Sequence, residues 1–265
     1  MKKLSLAAIV FAAALAPSAW TGSTAQAAVQ VKTVDYQQGD TTLEGWLVYD
    51  GAKQGKRPGI LVYPAYNGPT DTEKDVAERL AKMGYVAFVA DVYGKGIRPA
   101  DPKSAGAEMG KYMKDRGLLR QRAQAAFDQL SHNPMVDVNH LAAIGYCFGG
   151  APALDLARSG APLKITVSFH GVLTSPTPQD DNNIKGRVLA LHGADDPIVG
   201  PQAQDDFKKE MTAAHVNWQL VLYGGAVHAF TEKTSGNDNS KGAAYNANAD
   251  KLSWEAMTQA FKDSL

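Results

Sequence analysis

The cysteine of this 265-residue chain lies in the segment GYCFG, residues 145–149, and the sequence holds no other. An apolar run at residues 140–146 precedes Cys147, and a helix-like segment follows from Phe148. A nucleophile on such a strand-to-helix turn adopts a strained backbone, and a glycine two residues away on each side leaves room for it. The turn also places the sulfur at a helix N-terminus, which favours thiolate over thiol. The pattern predicts a nucleophilic cysteine; a buried cysteine acting as a small apolar side chain is the alternative.

Such a nucleophile needs a base, and the base needs an acid that orients it, in the chain order nucleophile, acid, histidine. Downstream, an apolar run continues into LHGADDPIV, where Asp196 lies in a loop before a proline and Asp195 is the competing acid. His228 follows the last strand-like run, in the segment GGAVHAF. His170 and His192 also lie at strand ends, and we interpret both as structural. The sequence therefore predicts a catalytic triad.

Strand-like and helix-like segments alternate along the chain, and these elements must position the three side chains. A capping box at residues 70–73 begins one helix, and further helical patterns cover 118–130, 202–214 and a last segment ending near residue 265. Alternation of apolar strands with helices predicts an α/β fold with a mostly parallel sheet that is covered by helices on both faces. The predicted strands are residues 29–36, 42–49, 58–65, 85–91, 140–146, 164–172, 187–193 and 218–224.

The first 27 residues have the pattern of a secretory signal peptide. Lys2 and Lys3 precede an apolar run over residues 4–16, and Ala25-Gln26-Ala27 is typical of a cleavage site. The apolar run is shorter than the ~20 residues that span a bilayer. We therefore predict cleavage after Ala27, a periplasmic or secreted protein without membrane contact after processing, and a single α/β-hydrolase domain at residues 28–265. An N-terminal core helix is the alternative.

The composition restricts the possible partners. The 27 basic and 27 acidic residues cancel, which gives no indication of a nucleic-acid or anionic-membrane partner. A single cysteine forms no intramolecular disulfide, and the six histidines are scattered without the spacing of metal ligands. We expect a monomer without a metal or cofactor.

Several motifs resemble the dienelactone hydrolase family of α/β-hydrolases. The resemblance covers most of the chain after residue 27 and implies Cys147 as nucleophile, Asp196 as acid and His228 as base. It also implies an oxyanion hole made by the backbone N–H groups of Phe148 and Tyr66, and a small ester or lactone as substrate. The motifs are GYCFGG, HGADDPIV, YGGAVHAFT, LAKMGYVAFVADVYG and AAYNANADKLSWEAM.

Two positions depart from the family pattern. The family carries a glutamate that contacts the resting thiol in an E-x-x-G segment, and Ala65 occupies that position here. The family's substrate-binding arginine, four residues after the histidine, is replaced by Glu232. Two residues are candidate substrate contacts: Tyr93, within the segment ADVYG, and Arg98, in the loop after it. For Arg98, a solvated arginine is the alternative. The resemblance thus implies a hydrolase, but the dienelactone substrate does not follow.

We therefore predict hydrolysis of a small carboxylic ester or lactone through a thioester acyl-enzyme. An acyltransferase with the same acyl-enzyme is one alternative, and a non-catalytic binding protein on the hydrolase scaffold is another. A thiol sensor is the third, although such sensors usually have a resolving cysteine nearby.

Overall fold

An eight-stranded sheet organises the part of the chain that the computed structural model describes, residues 29–265. The predicted signal peptide, residues 1–27, lies outside the described residues. The strands are β1 (Val29–Gln38), β2 (Thr41–Asp50), β3 (Arg57–Tyr63), β4 (Val86–Val89), β5 (Val136–Tyr146), β6 (Ile165–Phe169), β7 (Arg187–Gly193) and β8 (Trp218–Tyr223). The helices are α1 (Asp71–Met83), α2 (Pro102–Lys114), α3 (Arg116–Ser131), α4 (Gly150–Arg158), α5 (Pro201–Ala213) and α6 (Ala247–Ser264).

The strand order is β1-β2-β4-β3-β5-β6-β7-β8. The β1–β2 hairpin is antiparallel and pairs antiparallel with β4, while all pairings from β4 to β8 are parallel. The prediction of a mostly parallel sheet is therefore confirmed. Because parallel strands end at the same edge of a sheet, the loops that follow β3, β5, β7 and β8 meet there.

Helices cover both faces of the sheet because its central strands are apolar on both sides. Along β3, Leu61 and Tyr63 belong to the core beneath α3 and α4, whereas Ile60 and Val62 belong to the core beneath α1 and α6. This alternation explains why the strand reads as a continuous apolar run. Within residues 29–265, no helix combines the length and apolar character needed to cross a membrane.

Local sequence signals explain where α1 begins and ends. The Thr70 side chain accepts a hydrogen bond from the Thr72 amide, and the Glu73 carboxylate accepts one from the Thr70 amide at 2.9 Å. Gly84 ends the helix at a φ of +104°, a left-handed conformation that glycine adopts without steric cost. The predicted capping box is confirmed.

The strands β4 and β6 are shorter than predicted, for local reasons. The predicted strand at 85–91 ends at Val89, because the Asp91 carboxylate accepts hydrogen bonds from the Tyr93 and Gly94 amides and turns the chain. The predicted strand at 164–172 ends at Phe169, since His170 has a φ of +38°. The chain leaves both strands in loops at the carboxyl edge of the sheet.

Candidate active site

Cys147 lies on a tight turn between β5 and α4, at the start of a short 3-10 helix, Cys147–Gly149. Its φ of +51° is in the left-handed region, which side chains other than glycine rarely adopt. A Cβ at Gly145 would collide with the backbone of Gly149, and one at Gly149 would collide with the carbonyl of Tyr63. The two glycines are therefore required by close backbone approach, as the sequence pattern predicts.

The Cys147, Asp196 and His228 side chains form one chain of hydrogen bonds at the carboxyl edge of the sheet. His228 Nε2 lies 3.1 Å from Cys147 Sγ, and His228 Nδ1 lies 2.8 Å from Asp196 Oδ2. Asp195, the competing acid, instead accepts a hydrogen bond from the Gly225 amide at 3.0 Å. The predicted convergence of the three side chains is confirmed, and their catalytic roles stay a prediction.

The Asp196 carboxylate is fixed by three hydrogen-bond donors and lies close to His192, whose Nε2 donates to the Val199 carbonyl. Its Oδ1 accepts hydrogen bonds from the amides of Ile198 and Val199 at 2.8 and 2.9 Å. Its Oδ2 lies 2.8 Å from His228 Nδ1 and 3.3 Å from His192 Nε2. Burial acts to raise the pKa of Asp196, but the two histidines and the hydrogen bond from the Val199 amide outweigh it and hold the pKa well below 3.8. The carboxylate is therefore ionised at all ordinary pH values.

The imidazole of His228 is surrounded by groups that favour its charged form. Burial acts to lower the pKa of His228, but the hydrogen bonds to Asp196 and Cys147 and the charges of these groups outweigh it, raising the pKa to about 10. His228 is thus an imidazolium at neutral pH, and its Nε2 lies 3.1 Å from the Cys147 sulfur, so that deprotonation of the thiol gives an imidazolium–thiolate pair. Such a pair is a nucleophile that needs no further base.

His170 and His192 support the triad rather than lie apart from it. The His170 ring lies edge-on to His228, with centroids 5.3 Å apart, and its Nε2 lies 2.8 Å from Thr231 Oγ1. Burial, followed by the charges of His228 and His192, holds the pKa of His170 well below 6.5, so its ring is neutral. The positions of His170 and His192 at strand ends were visible in the sequence, but their contacts with the triad were not predictable from it.

The two residues predicted to supply the oxyanion donors line the cavity of the thiol. Phe148 follows Cys147 in the first turn of the helical segment, where backbone amides have no partner within the helix. The Tyr66 amide donates no hydrogen bond to a backbone carbonyl of residues 29–265. Both residues line the same cavity as Cys147. Their role as oxyanion donors stays a prediction.

A cavity of about 560 Å³ opens onto Cys147 and His228. Its wall is mainly apolar, which suits the acyl or alcohol group of a small ester. The apolar wall residues are Ala65, Met109, Phe148, Val172, Ile198, Ala229 and Ala243. Ala65, at the position where the family carries a glutamate, therefore does face the cavity of the thiol.

The two candidate substrate contacts need correction, since neither lines this cavity. The Tyr93 ring is buried against Phe148, with centroids 5.9 Å apart, and its hydroxyl donates to the Tyr66 carbonyl at 2.8 Å. The Arg98 guanidinium bonds to the carbonyls of Gly94 and Ile97 and lies 3.5 Å from the buried Asp91 carboxylate. Tyr93 thus fixes the Tyr66 loop, and Arg98 is held by its own loop.

Glu232 lines the cavity, although the sequence indicated only that it departs from the family pattern. Burial, followed by the charges of Glu73 and Asp250, raises the pKa of Glu232 to about 7, against a smaller opposite effect of His228. Its position four residues after His228, on the same loop, was the signal that could have identified it as a site residue. Among residues 29–265, no cluster of three or more His, Cys, Asp or Glu side chains is arranged to hold a metal ion.

A mostly parallel sheet between two helical layers, with a nucleophile elbow after β5, defines an α/β-hydrolase. The model of the dienelactone hydrolase family matches residues 45–265, and the chain belongs to this family. It is accordingly a hydrolase of carboxylic esters or lactones that acts on a small molecule.

Individual relatives agree with this assignment. The chain is 29% identical over 188 residues to a probable 2-oxo-3-(5-oxofuran-2-ylidene)propanoate lactonase of a Bradyrhizobium species, covering 67% of this chain and 75% of the relative. It is 39% identical to the solved structure named m3DLH, with a TM-score of 0.86 over 90% of this chain and 99% of that one. It is also 41% identical to a dienelactone hydrolase-like promiscuous phosphotriesterase from metagenomic libraries, with a TM-score of 0.85 over 89% and 98% of the two chains.

Proposed function

We propose that the protein hydrolyses small carboxylic esters or lactones through a thioester acyl-enzyme on Cys147. The observation that carries this proposal is the continuous hydrogen-bond chain from Cys147 Sγ through His228 to Asp196, at the wall of an apolar cavity. The family supports ester or lactone hydrolysis, and the hydrogen-bond chain supports the nucleophile.

In the first half of the reaction, the Cys147 thiolate attacks the substrate carbonyl carbon and forms a C–S bond. The carbonyl oxygen becomes an oxyanion, which accepts hydrogen bonds from the Phe148 and Tyr66 amides. As the tetrahedral intermediate collapses, the carbon–oxygen bond to the leaving group breaks. His228 Nε2 gives its proton to the leaving alkoxide, so an alcohol departs and neutral imidazole remains.

In the second half, the neutral imidazole of His228 takes a proton from a water molecule, whose oxygen attacks the thioester carbonyl. Collapse of the second tetrahedral intermediate breaks the C–S bond and releases a carboxylic acid and the Cys147 thiolate. Asp196 holds the imidazole ring in place and stabilises the imidazolium in both halves. The imidazolium–thiolate pair is thereby restored.

The direct test is a screen of short-chain esters and lactones with the natural protein and with Cys147→Ala. We expect hydrolysis by the natural protein and background rates for the variant. Intact-mass analysis of the protein after rapid quenching should show one added acyl group that hydroxylamine removes. Hydrolysis that survives Cys147→Ala would contradict the proposal.

An acyltransferase would form the same acyl-enzyme but pass the acyl group to an alcohol or amine. Product analysis with an added alcohol separates the two, since a hydrolase releases mainly the free acid and a transferase mainly the new ester. A binding protein on the hydrolase scaffold would give neither product. We expect mainly free acid, because the cavity is partly open to water at the thiol.

Hydrolysis of phosphotriesters is the second candidate function. It is favoured by the 41% identity to the promiscuous phosphotriesterase, which the chain matches along 98% of that protein's length. A thiolate beside two backbone donors could attack phosphorus in the same way as carbon. Release of nitrophenol from a dialkyl nitrophenyl phosphate, compared between the natural protein and Cys147→Ala, tests this candidate.

We further propose that the protein acts as an exported monomer in the periplasm or outside the cell. The support is the order of charged, apolar and small residues over positions 1–27. Exported protein should begin at Ala28 on N-terminal sequencing and sediment as a single chain. An exported form that retains Met1 would contradict the cleavage.

A further inference from the structure

One wall of the active-site cavity carries an acidic side chain that no lysine or arginine of the cavity wall balances. Glu232 lines the cavity together with Cys147 and His228, and no lysine or arginine of the described chain lines it with them. The other wall residues are apolar or carry neutral polar groups, such as Asn67 and Thr234. In a largely apolar cavity, such a carboxylate adds a negative contribution to the electrostatic potential that a bound molecule meets away from the triad.

The Glu232 carboxyl group has an unused hydrogen-bonding atom. Its Oε1 is buried and has no hydrogen-bond partner within residues 29–265. A buried carboxylate oxygen without a partner is costly, because its hydration has been lost and nothing in the protein replaces it. A positive charge in the adjoining cavity would offset part of this cost, because it would supply the buried carboxylate with a counter-charge.

Neighbouring negative charges further destabilise the ionised form of Glu232, which a positive partner would stabilise. Glu73 at the start of α1 and Asp250 on α6 both act on it with negative charge, and their repulsion adds to the effect of burial. His228, on the same loop, acts in the opposite direction but is already paired with Asp196 and the thiol.

The nearby cations, Arg79 and Lys233, line a different pocket from Glu232. The Arg79 guanidinium lies over the Trp254 ring, 3.4 Å from its centroid, and acts on Asp250. Lys233 also acts on Asp250.

The loop that carries Glu232 is held in a defined shape. The Glu232 amide donates to the Ala229 carbonyl at 2.8 Å, and the Ser235 amide donates to the Glu232 carbonyl at 3.0 Å. Ala229 has a φ of +57°, so the chain reverses immediately after His228. The turn thus carries the carboxylate on the same loop as the triad base.

From these contacts we propose that Glu232 selects substrates by charge, favouring esters that carry an ammonium group and disfavouring those that carry an anionic group. This inference rests on the proposed ester hydrolysis at Cys147. Glu232 acts through contact with a substrate group remote from the reacting carbonyl and takes no part in bond cleavage. Its effect therefore falls on the ratio of kcat/KM values between substrates of different charge.

Two matched ester sets test the proposal, with the charge on either side of the ester bond. The acyl set comprises nitrophenyl esters of 4-(trimethylammonio)butyrate, 5,5-dimethylhexanoate and 4-sulfobutyrate, which differ mainly in charge. The alcohol set comprises acetylcholine, 3,3-dimethylbutyl acetate and 2-sulfoethyl acetate. For the natural protein at pH 8, we expect the cationic ester to exceed the neutral one by roughly tenfold in kcat/KM in at least one set.

Three variants separate the charge of Glu232 from other effects. Glu232→Gln should bring the cationic-to-neutral ratio close to one, and Glu232→Lys should favour the sulfonate ester. Glu255→Gln makes the same change in net charge at an exposed position of α6 and should leave the ratios as in the natural protein. The ratio is a readout that a purely structural role of Glu232 would not change.

The pH dependence provides a second check. Because the carboxyl group titrates near neutral pH, the preference of the natural protein for the cationic ester should grow from pH 6 to pH 8. Glu232→Gln should show no such change. Equal ratios for the natural protein and Glu232→Gln in both sets would overturn the proposal. Failure of the proposed hydrolysis is distinct, since no ester, including the neutral ones, would then be turned over in a Cys147-dependent way.

Discussion

At the scale of single residues, the reactivity of the site depends on how charge is shared along three side chains. Hydrogen bonds hold Asp196 ionised, and its charge helps to keep His228 protonated up to about pH 10. The imidazolium in turn stabilises a thiolate 3.1 Å away. A change at either end of this chain should therefore alter the thiol itself, before any substrate is present.

We expect Asp196→Asn to lower kcat for ester hydrolysis roughly 10³-fold, because the ring of His228 loses its orientation and the imidazolium its counter-charge. Alkylation of Cys147 by iodoacetamide at pH 6 should slow as well, since less thiolate is present. Asp195→Asn is the matched control, because this neighbouring carboxylate bonds to the Gly225 amide instead. Equal losses in both variants would contradict the assignment of the acid.

Ala65 provides the second test at this scale. A carboxylate introduced beside the thiol disfavours thiolate, because two negative charges in one apolar cavity repel each other. Ala65→Glu should therefore move the midpoint of the iodoacetamide rate against pH upward by about one unit. Ala65→Gln has nearly the same size without the charge and should leave the midpoint nearly unchanged. An unchanged or lowered midpoint in Ala65→Glu would contradict a position beside the thiol.

At the scale of elements, the turn between β5 and α4 depends on the absence of two side chains. The backbone of Gly145 faces the backbone of Gly149, which in turn faces the end of β3, so no flexible group can move aside. The same crowding holds Cys147 in its left-handed conformation. The elbow is thus fixed jointly by two neighbouring parallel strands and a helix.

We expect Gly145→Ala to destabilise the protein by on the order of 3 kcal/mol, because backbone atoms must shift to admit the methyl group. Gly106→Ala is the control: it lies within α2, a Cβ there meets no atom within 4 Å, and helix propensity should stabilise the variant by up to ~1 kcal/mol. Urea unfolding of both variants measures the difference. A stable Gly145→Ala variant would show that the turn tolerates a side chain.

The sequence was informative about the elements that carry the site, for reasons visible at particular residues. The capping box at Thr70, the apolar β3 and the glycines around Cys147 are local signals, and each appears in the structure where it was expected. The position of Arg98 was not accessible in this way, since its guanidinium contacts Glu44 on β2, distant in sequence, in addition to carbonyls of its own loop. A local pattern reports whether a residue is buried and not which residues surround it.

At the scale of the whole molecule, the negative charge that lets Glu232 select substrates also lowers the stability of the folded protein. Its folded pKa of about 7 lies above the value of 4.5 for an exposed glutamate, so the folded state holds a proton that the unfolded state releases. The stability contribution is therefore present below about pH 4.5 and is lost as pH rises through about 7. A carboxylate useful for substrate selection thus weakens the empty protein at pH 8.

We expect Glu232→Gln to be more stable than the natural protein at pH 8 by about 1 to 2 kcal/mol, after allowance for partial exposure, and nearly equal to it at pH 4.5. Urea unfolding at both pH values measures this difference. Glu255→Gln, which alters an exposed carboxylate, should show no such pH-dependent gain. A gain of equal size at both pH values would point to packing rather than to charge.

The single cysteine of the sequence has a practical consequence for every measurement above. Because the 265 residues contain no other thiol, any reagent that forms a bond to sulfur reports on the active site alone. Titration with a chromogenic disulfide therefore counts functional enzyme molecules, and a fluorophore or spin label attaches at one known place. In an oxidising compartment, all thiol oxidation of a molecule would fall on one atom, where it is readable as a mass increment.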